Sequence, residues 1–83
     1  MTQLKKINKM NLLEADIGVE YIVKDVNTDD DEVDTLLFTL GCYKGEPITV
    51  VLKPLGSYIV AIKNGRYIFD YPIASAITIE KVE

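Results

Sequence analysis

The stretch Asp29-Asp30-Asp31-Glu32-Val33-Asp34-Thr35-Leu36-Leu37-Phe38-Thr39-Leu40-Gly41 decides how this chain is read. Val33, Leu36, Leu37 and Leu40 recur at i, i+3, i+4 and i+7, the spacing that paints one apolar stripe along an α-helix. Acids stand ahead of the stripe, where carboxylates accept from unpaired backbone N–H groups and complement the positive end of the helix dipole. Asp29 as N-cap with Glu32 three residues on predicts a capping box. Gly41 ends the helix, because the residue past the last turn commonly takes the left-handed conformation that glycine adopts without steric cost. The spacing predicts a helix over residues 30–40.

Everything outside this helix reads as strand and turn. Upstream, Leu12, Leu13, Ala15 and Ile17 before Gly18 predict an apolar plug, and Glu20 to Val26 predicts a strand with Tyr21 and Val23 on one face and Ile22 on the other. Downstream, Pro47 to Lys53 places Ile48, Val50 and Leu52 on one face, and Ser57 to Lys63 places Tyr58, Val60 and Ile62 there, with Pro54-Leu55-Gly56 turning the chain between them. Asn64-Gly65 predicts a type I′ hairpin with positive φ at both central residues. Arg66 to Asp70 is the return strand, residues 71–76 a short turn, and Ile77 to Val82 the last strand. The sum is mainly β: a small five-stranded barrel with one main helix between strands 1 and 2. Its core should join Val23, Val50, Val60, Ile62, Ile77 and Ile79 to Leu37 and Leu40.

Eighty-three residues hold one domain of this kind, and 48% hydrophobic against 27% charged residues is globular composition. Residues 1–9 carry Lys5, Lys6 and Lys9 with no sustained period, so residues 1–10 are expected to be a flexible leader and residues 11–83 the folded domain. No window approaches the ~18 unbroken apolar residues of a membrane span, and the N-terminal lysines are not followed by the apolar stretch of a signal peptide. A cytoplasmic protein is expected.

The net charge of −4 is unevenly placed, since residues 10–45 hold nine acids against Lys24 and Lys44. A phosphate backbone is bound by clustered Lys and Arg that displace its counterions, and an acidic chain without a basic stripe argues against nucleic acid as a partner. The absence of His removes the Ser-His and Cys-His nucleophile pairs and the usual general base. The five glycines stand singly, so no phosphate-cradling loop is present. Neither catalysis nor a cofactor is expected. The acidic run fails as an EF-hand, which needs glycine at its sixth position and glutamate at its twelfth where this chain has Asp34 and Leu40. Capping and solvation explain it, and no metal ligand is assigned. Cys42, without a second thiol or an imidazole to work with, reads as a small buried hydrophobe.

The order of pieces is distinctive. Leu13-x-Ala15-x-x-Gly18, then Leu37-x-x-Leu40-Gly41, Gly45, Pro54-Leu55-Gly56 and Ile73-Ala74-x-x-Ile77-x-Ile79 together resemble the FeoA family across residues 11–83. These are small bacterial ferrous iron transport proteins with an SH3-like barrel, a domain also seen at the C-terminus of DtxR-type metal-dependent repressors. The resemblance implies a non-catalytic accessory protein, classed with transition-metal binding, that works with the cytoplasmic part of the FeoB membrane transporter and is peripheral to the inner membrane through it. The alternative it implies is an ion- or ligand-responsive regulatory domain of the repressor type. Two departures stand out: Asp34, Thr35 and Leu36 occupy helix positions that are often basic in the family, and Phe69 replaces a small residue in Gly65-Arg66-Tyr67-Ile68-Phe69-Asp70. An interaction module needs an apolar anchor with a polar rim, and the candidates here are Leu36 and Phe38 on the helix, Tyr43 and Leu55 in loops, and a rim of Asp30, Asp31 and Asp34 suited to a basic partner surface.

Overall fold

A computed structural model describes residues 10–82. Of the expected leader, residues 1–9 lie outside the described residues, and Met10 belongs to the first strand. Six strands follow in chain order: β1 (Met10–Asn11), β2 (Glu20–Val26), β3 (Pro47–Leu52), β4 (Ser57–Ile62), β5 (Gly65–Asp70) and β6 (Ile77–Lys81). They form one antiparallel sheet in the order β1-β6-β2-β3-β4-β5. The main helix α1 (Asp31–Leu40) lies between β2 and β3, and a short helix α2 (Tyr71–Ser75) between β5 and β6. The five strands and the helix read from the sequence are all present. The sixth strand is the two-residue β1, which pairs Met10 with Ile79 and is too short to carry a periodic signal.

The core is the shared interior that alternation and the helix stripe demand. Val23, Val50, Val60, Ile62, Ile77 and Ile79 are buried with Leu37, and Leu40 packs half-buried against them. Tyr21, Ile48 and Phe69 complete the barrel interior, and Leu12 and Ala15 close one end from the 3-10 turn Leu12–Glu14. Buried Tyr21 keeps its hydroxyl satisfied by accepting from the Asp16 amide at 3.0 Å.

Local chemistry shifts several expected boundaries. The helix cap is Asp30 rather than Asp29: Asp30 Oδ1 accepts from Glu32 N at 3.0 Å and Val33 N at 3.3 Å, while Asp29 sits at φ +64 and donates its amide to Asn27 Oδ1. A residue in left-handed backbone cannot hold the extended conformation of an N-cap, so the cap moves one residue on. The hairpin turn also moves by one. Ile62 pairs with Gly65, which makes Lys63 and Asn64 the central residues, with φ +53 at Lys63 and Gly65 inside the strand. Residues 71–75 are helical because the Asp70 side chain caps Ile73 N and Pro72 supplies a preset φ in the first turn. Leu52, expected inside, is exposed because a bulge between Val50 and Leu52 breaks the alternation. Ile17 is exposed as well, beyond the 3-10 turn that buries Leu12 and Ala15.

Candidate partner-docking groove

Helix α1 ends on Gly41 at φ +101, and a Cβ there would press on the Lys63 side chain. The segment that follows returns along β2: Cys42 N donates to Leu37 O at 2.9 Å, Gly45 N to Val23 O at 2.8 Å, and Val23 N to Glu46 O at 2.9 Å. This return fixes Tyr43 beside the helix. Its ring meets Phe38 with centroids 4.8 Å apart and planes tilted by 36°, a favourable offset arrangement for two aromatic quadrupoles.

Tyr43 is held from its other side by Lys63. The ammonium lies 5.4 Å from the Tyr43 ring centroid and 2.7 Å from Glu46 Oε1. The hydrogen bond to the Glu46 carboxylate raises the Lys63 pKa above its ordinary value. A chain of contacts from Phe38 through Tyr43 and Lys63 to Glu46 therefore ties α1 to the β4–β5 turn.

Between α1, the return segment and the end of β2 lies a groove of about 230 Å³ lined by Lys24, Asp25, Val26, Asp34, Phe38, Cys42, Tyr43 and Lys44. In a regular strand Lys24 and Asp25 would face opposite sides, but the bulge between Val23 and Asp25 lets both border the groove. Asp34 borders it from the helix, its Oδ1 accepting from Thr28 N at 2.9 Å and Thr28 Oγ1 at 2.7 Å, which pins α1 to the loop after β2. Cys42 contributes a buried thiol, and burial pushes its pKa up to about 11.

The structure brings together some of the candidate residues and separates others. Phe38, Tyr43 and Asp34 share the groove, and Asp31 lies three residues before Asp34 on the same helix face. Phe38 is 62% exposed, an aromatic anchor with most of its ring in solvent. Leu36 is 56% exposed but flanks the buried stripe on the other side of the helix, because two residues turn it by about 200°. Leu55 is 99% exposed in the turn after β3, whereas Tyr43 precedes that strand, so about 20 Å of strand separates them. Asp30 caps the helix rather than bordering the groove. Asp25 and Asp34 line the groove together with Lys24 and Lys44, so the groove itself is of mixed charge, and the acidic excess lies up the helix at Asp30, Asp31 and Glu32.

The donors present do not fit a transition-metal site. Among the described residues no three His, Cys, Asp or Glu side chains gather to hold an ion. Asp30 and Asp34 spend their Oδ1 atoms on backbone and hydroxyl donors, and Cys42, with its raised pKa, is a neutral thiol at pH 7, whereas metals take the thiolate. No helix among the described residues is long and apolar enough to cross a membrane.

Comparison with known proteins places these features. A family model described as the FeoA domain matches residues 10–81. A search of the curated proteins gave no match. Among solved structures, an iron uptake regulatory protein (FeoA) superposes with a TM-score of 0.75 at 21% identity, over 92% of this chain and 100% of that one. FeoA of Stenotrophomonas maltophilia complexed with zinc, described as a prokaryotic SH3 domain protein, superposes with a TM-score of 0.76 at 25% identity, over 86% of this chain and 89% of that one. A manganese-dependent transcriptional repressor gives a TM-score of 0.80 at 18% identity, covering 96% of this chain but 45% of its own length, and shares the fold.

Proposed function

This chain belongs to the FeoA family, and from that premise we propose that it is a non-catalytic accessory protein of ferrous iron uptake that docks on the cytoplasmic part of a FeoB-type transporter through the Phe38–Tyr43 groove. The observation that carries the reading is the exposed Phe38 ring, packed on a Tyr43 that is held by the Lys63 ammonium over its ring and by Glu46 N donating to its carbonyl at 3.1 Å. A preorganised aromatic beside a concave surface is what a binding anchor requires, because little side-chain entropy is left to lose on docking. The S. maltophilia FeoA is itself described as a candidate activating factor for ferrous iron transport, which supports the same assignment here.

The mechanism is a bias on an equilibrium. A rigid domain shifts the conformations of its partner only by binding one of them more tightly, so the transporter state that offers a complementary surface is the one this chain stabilises. Asp31 and Asp34 on the Phe38 side of α1 favour basic residues on that surface. The domain boundaries, residues 11–83 behind a leader and with Met10 joined to the domain as part of β1, belong to the same reading.

The test is calorimetric titration of the full chain against the purified cytoplasmic domain of the FeoB from the same genome. A 1:1 complex that weakens with added salt and with Asp31→Lys is expected. No heat and no co-sedimentation at about 100 μM of each protein would refute the assignment, since an affinity weaker than that leaves less than about 5.5 kcal/mol of binding free energy for a docking surface.

A further inference from the structure

The outer edge of β5 is uncovered among the described residues, which end the sheet on it. The two-residue hairpin closes on the Ile62–Gly65 pair, so Gly65, Tyr67 and Phe69 spend their backbone groups on β4. The N–H and C=O groups of Arg66 and Ile68 therefore point away from β4. Long exposed edges are usually blunted by bulges, prolines or like charges. This one pairs with β4 in unbroken register over all six of its residues and contains no proline. Its solvent face carries Arg66, Ile68 and Asp70, with Ile68 71% exposed.

The order of those three side chains is self-complementary. When an identical strand is laid antiparallel on β5 with Ile68 opposite Ile68, Arg66 falls opposite Asp70 at one end and Asp70 opposite Arg66 at the other. The same centring places the outward backbone groups of Ile68 against their own copies, the position at which two antiparallel residues exchange both hydrogen bonds. Hydrogen-bond phase, charge and apolar contact thus select one register. Tyr71, 60% exposed just past the strand, then flanks the turn of the second copy. Asp70 remains able to serve both tasks, since Oδ1 accepts from Ile73 N and Oδ2 is left for an arginine.

We propose that β5 is a homodimer edge: a second copy of this chain pairs with it about a two-fold axis at Ile68, joined by two Arg66–Asp70 ion pairs. An isologous contact of one strand is small, and complexes of that size are reversible, with Kd on the order of tens of micromolar.

Sedimentation equilibrium of the full chain tests this between about 5 μM and 1 mM. A monomer–dimer equilibrium is expected. Ile68→Lys, which sets two like charges directly opposite each other at an already exposed position, should weaken it at least tenfold without changing the circular dichroism spectrum. Arg66→Glu should weaken it in the same way, and Arg66→Glu with Asp70→Lys should recover affinity, because the ion pairs are then restored in reverse. A chain that stays monomeric to 1 mM overturns the proposal, as does a dimer that Ile68→Lys leaves intact. A dimer abolished by removing residues 1–9 but insensitive to Ile68→Lys also overturns it. Should the double variant lose its fold with the Asp70 cap, Ile68→Lys decides alone.

Discussion

Truncating Phe38 to alanine separates an anchor from a core residue. With its ring 62% exposed, Phe38 has already forgone most of the burial that makes a phenylalanine costly to remove. What the substitution takes away is the stack on Tyr43, worth about 0.5–1.5 kcal/mol, and the covered minority of the side chain, about 1 kcal/mol at ~25 cal/mol per Å². The fold should lose about 1.5–2.5 kcal/mol, against ~3–5 for a buried phenylalanine. For a domain of this size that is a fall in Tm of about 6–20 °C. Binding to the transporter's cytoplasmic domain should suffer more, because a central aromatic anchor carries at least ~2 kcal/mol, about thirtyfold in Kd. A thermal melt followed by circular dichroism gives the first number and calorimetric titration the second. A Tm that falls by more than about 20 °C would mean that Phe38 is a core residue. A folded variant whose affinity stays within about threefold of the parent would mean that the groove is not the docking surface.

Other expectations follow from the same contacts. Asp30→Ala should cost about 1 kcal/mol in chemical denaturation through the two lost cap bonds, while Asp31→Ala, one residue on and without such bonds, should stay within ~0.5 kcal/mol; equal losses would place the cap elsewhere. Gly41→Ala should destabilise by at least ~1–2 kcal/mol, since it forces an L residue to φ +101 and drives a methyl group into the Lys63 side chain; a neutral result would mean that the helix end relaxes. Cys42 should resist iodoacetamide at pH 8 until the chain unfolds. Its thiol titrates near 11 in the folded state against 9.0 unfolded, so the stabilisation it provides is complete below pH 9 and is lost as pH rises from 9 to 11. Denaturation at a series of pH values should show this decline in the parent and a shallower one in Cys42→Ala, and identical slopes would assign the decline to other groups.

The helix was legible because its signals are local. A stripe, a run of acids and a terminal glycine all lie within thirteen consecutive residues; Leu36, read as part of the stripe, is exposed, and the cap at Asp30 instead of Asp29 turns on a single backbone angle that composition does not encode. The strands were legible for the same reason, as far as alternation stays regular. Leu52 and the pair Lys24 and Asp25 escape because bulges reset which face a residue meets, and a bulge leaves no reliable mark in one sequence. The groove was half legible. Phe38 and Tyr43 could be singled out as aromatic residues off the stripe and past the helix end. Lys63 and Glu46, which hold Tyr43 in place, come from the β4–β5 turn and the residue before β3, and only the β3–β4 pairing of the folded sheet brings them together.

The same turn also lies next to both surfaces. Lys63 is the first residue of the turn whose last pair, Ile62 with Gly65, begins β5, so the cation that steadies Tyr43 stands three residues from Arg66 on the dimer edge. A left-handed residue such as Lys63 keeps its position only while its neighbours over-determine it. Strand pairing at β5 adds hydrogen bonds on one side of the turn, and the Glu46 and Tyr43 contacts restrain it on the other. The β5 edge and the Tyr43 contacts thus lie on either side of one left-handed turn residue.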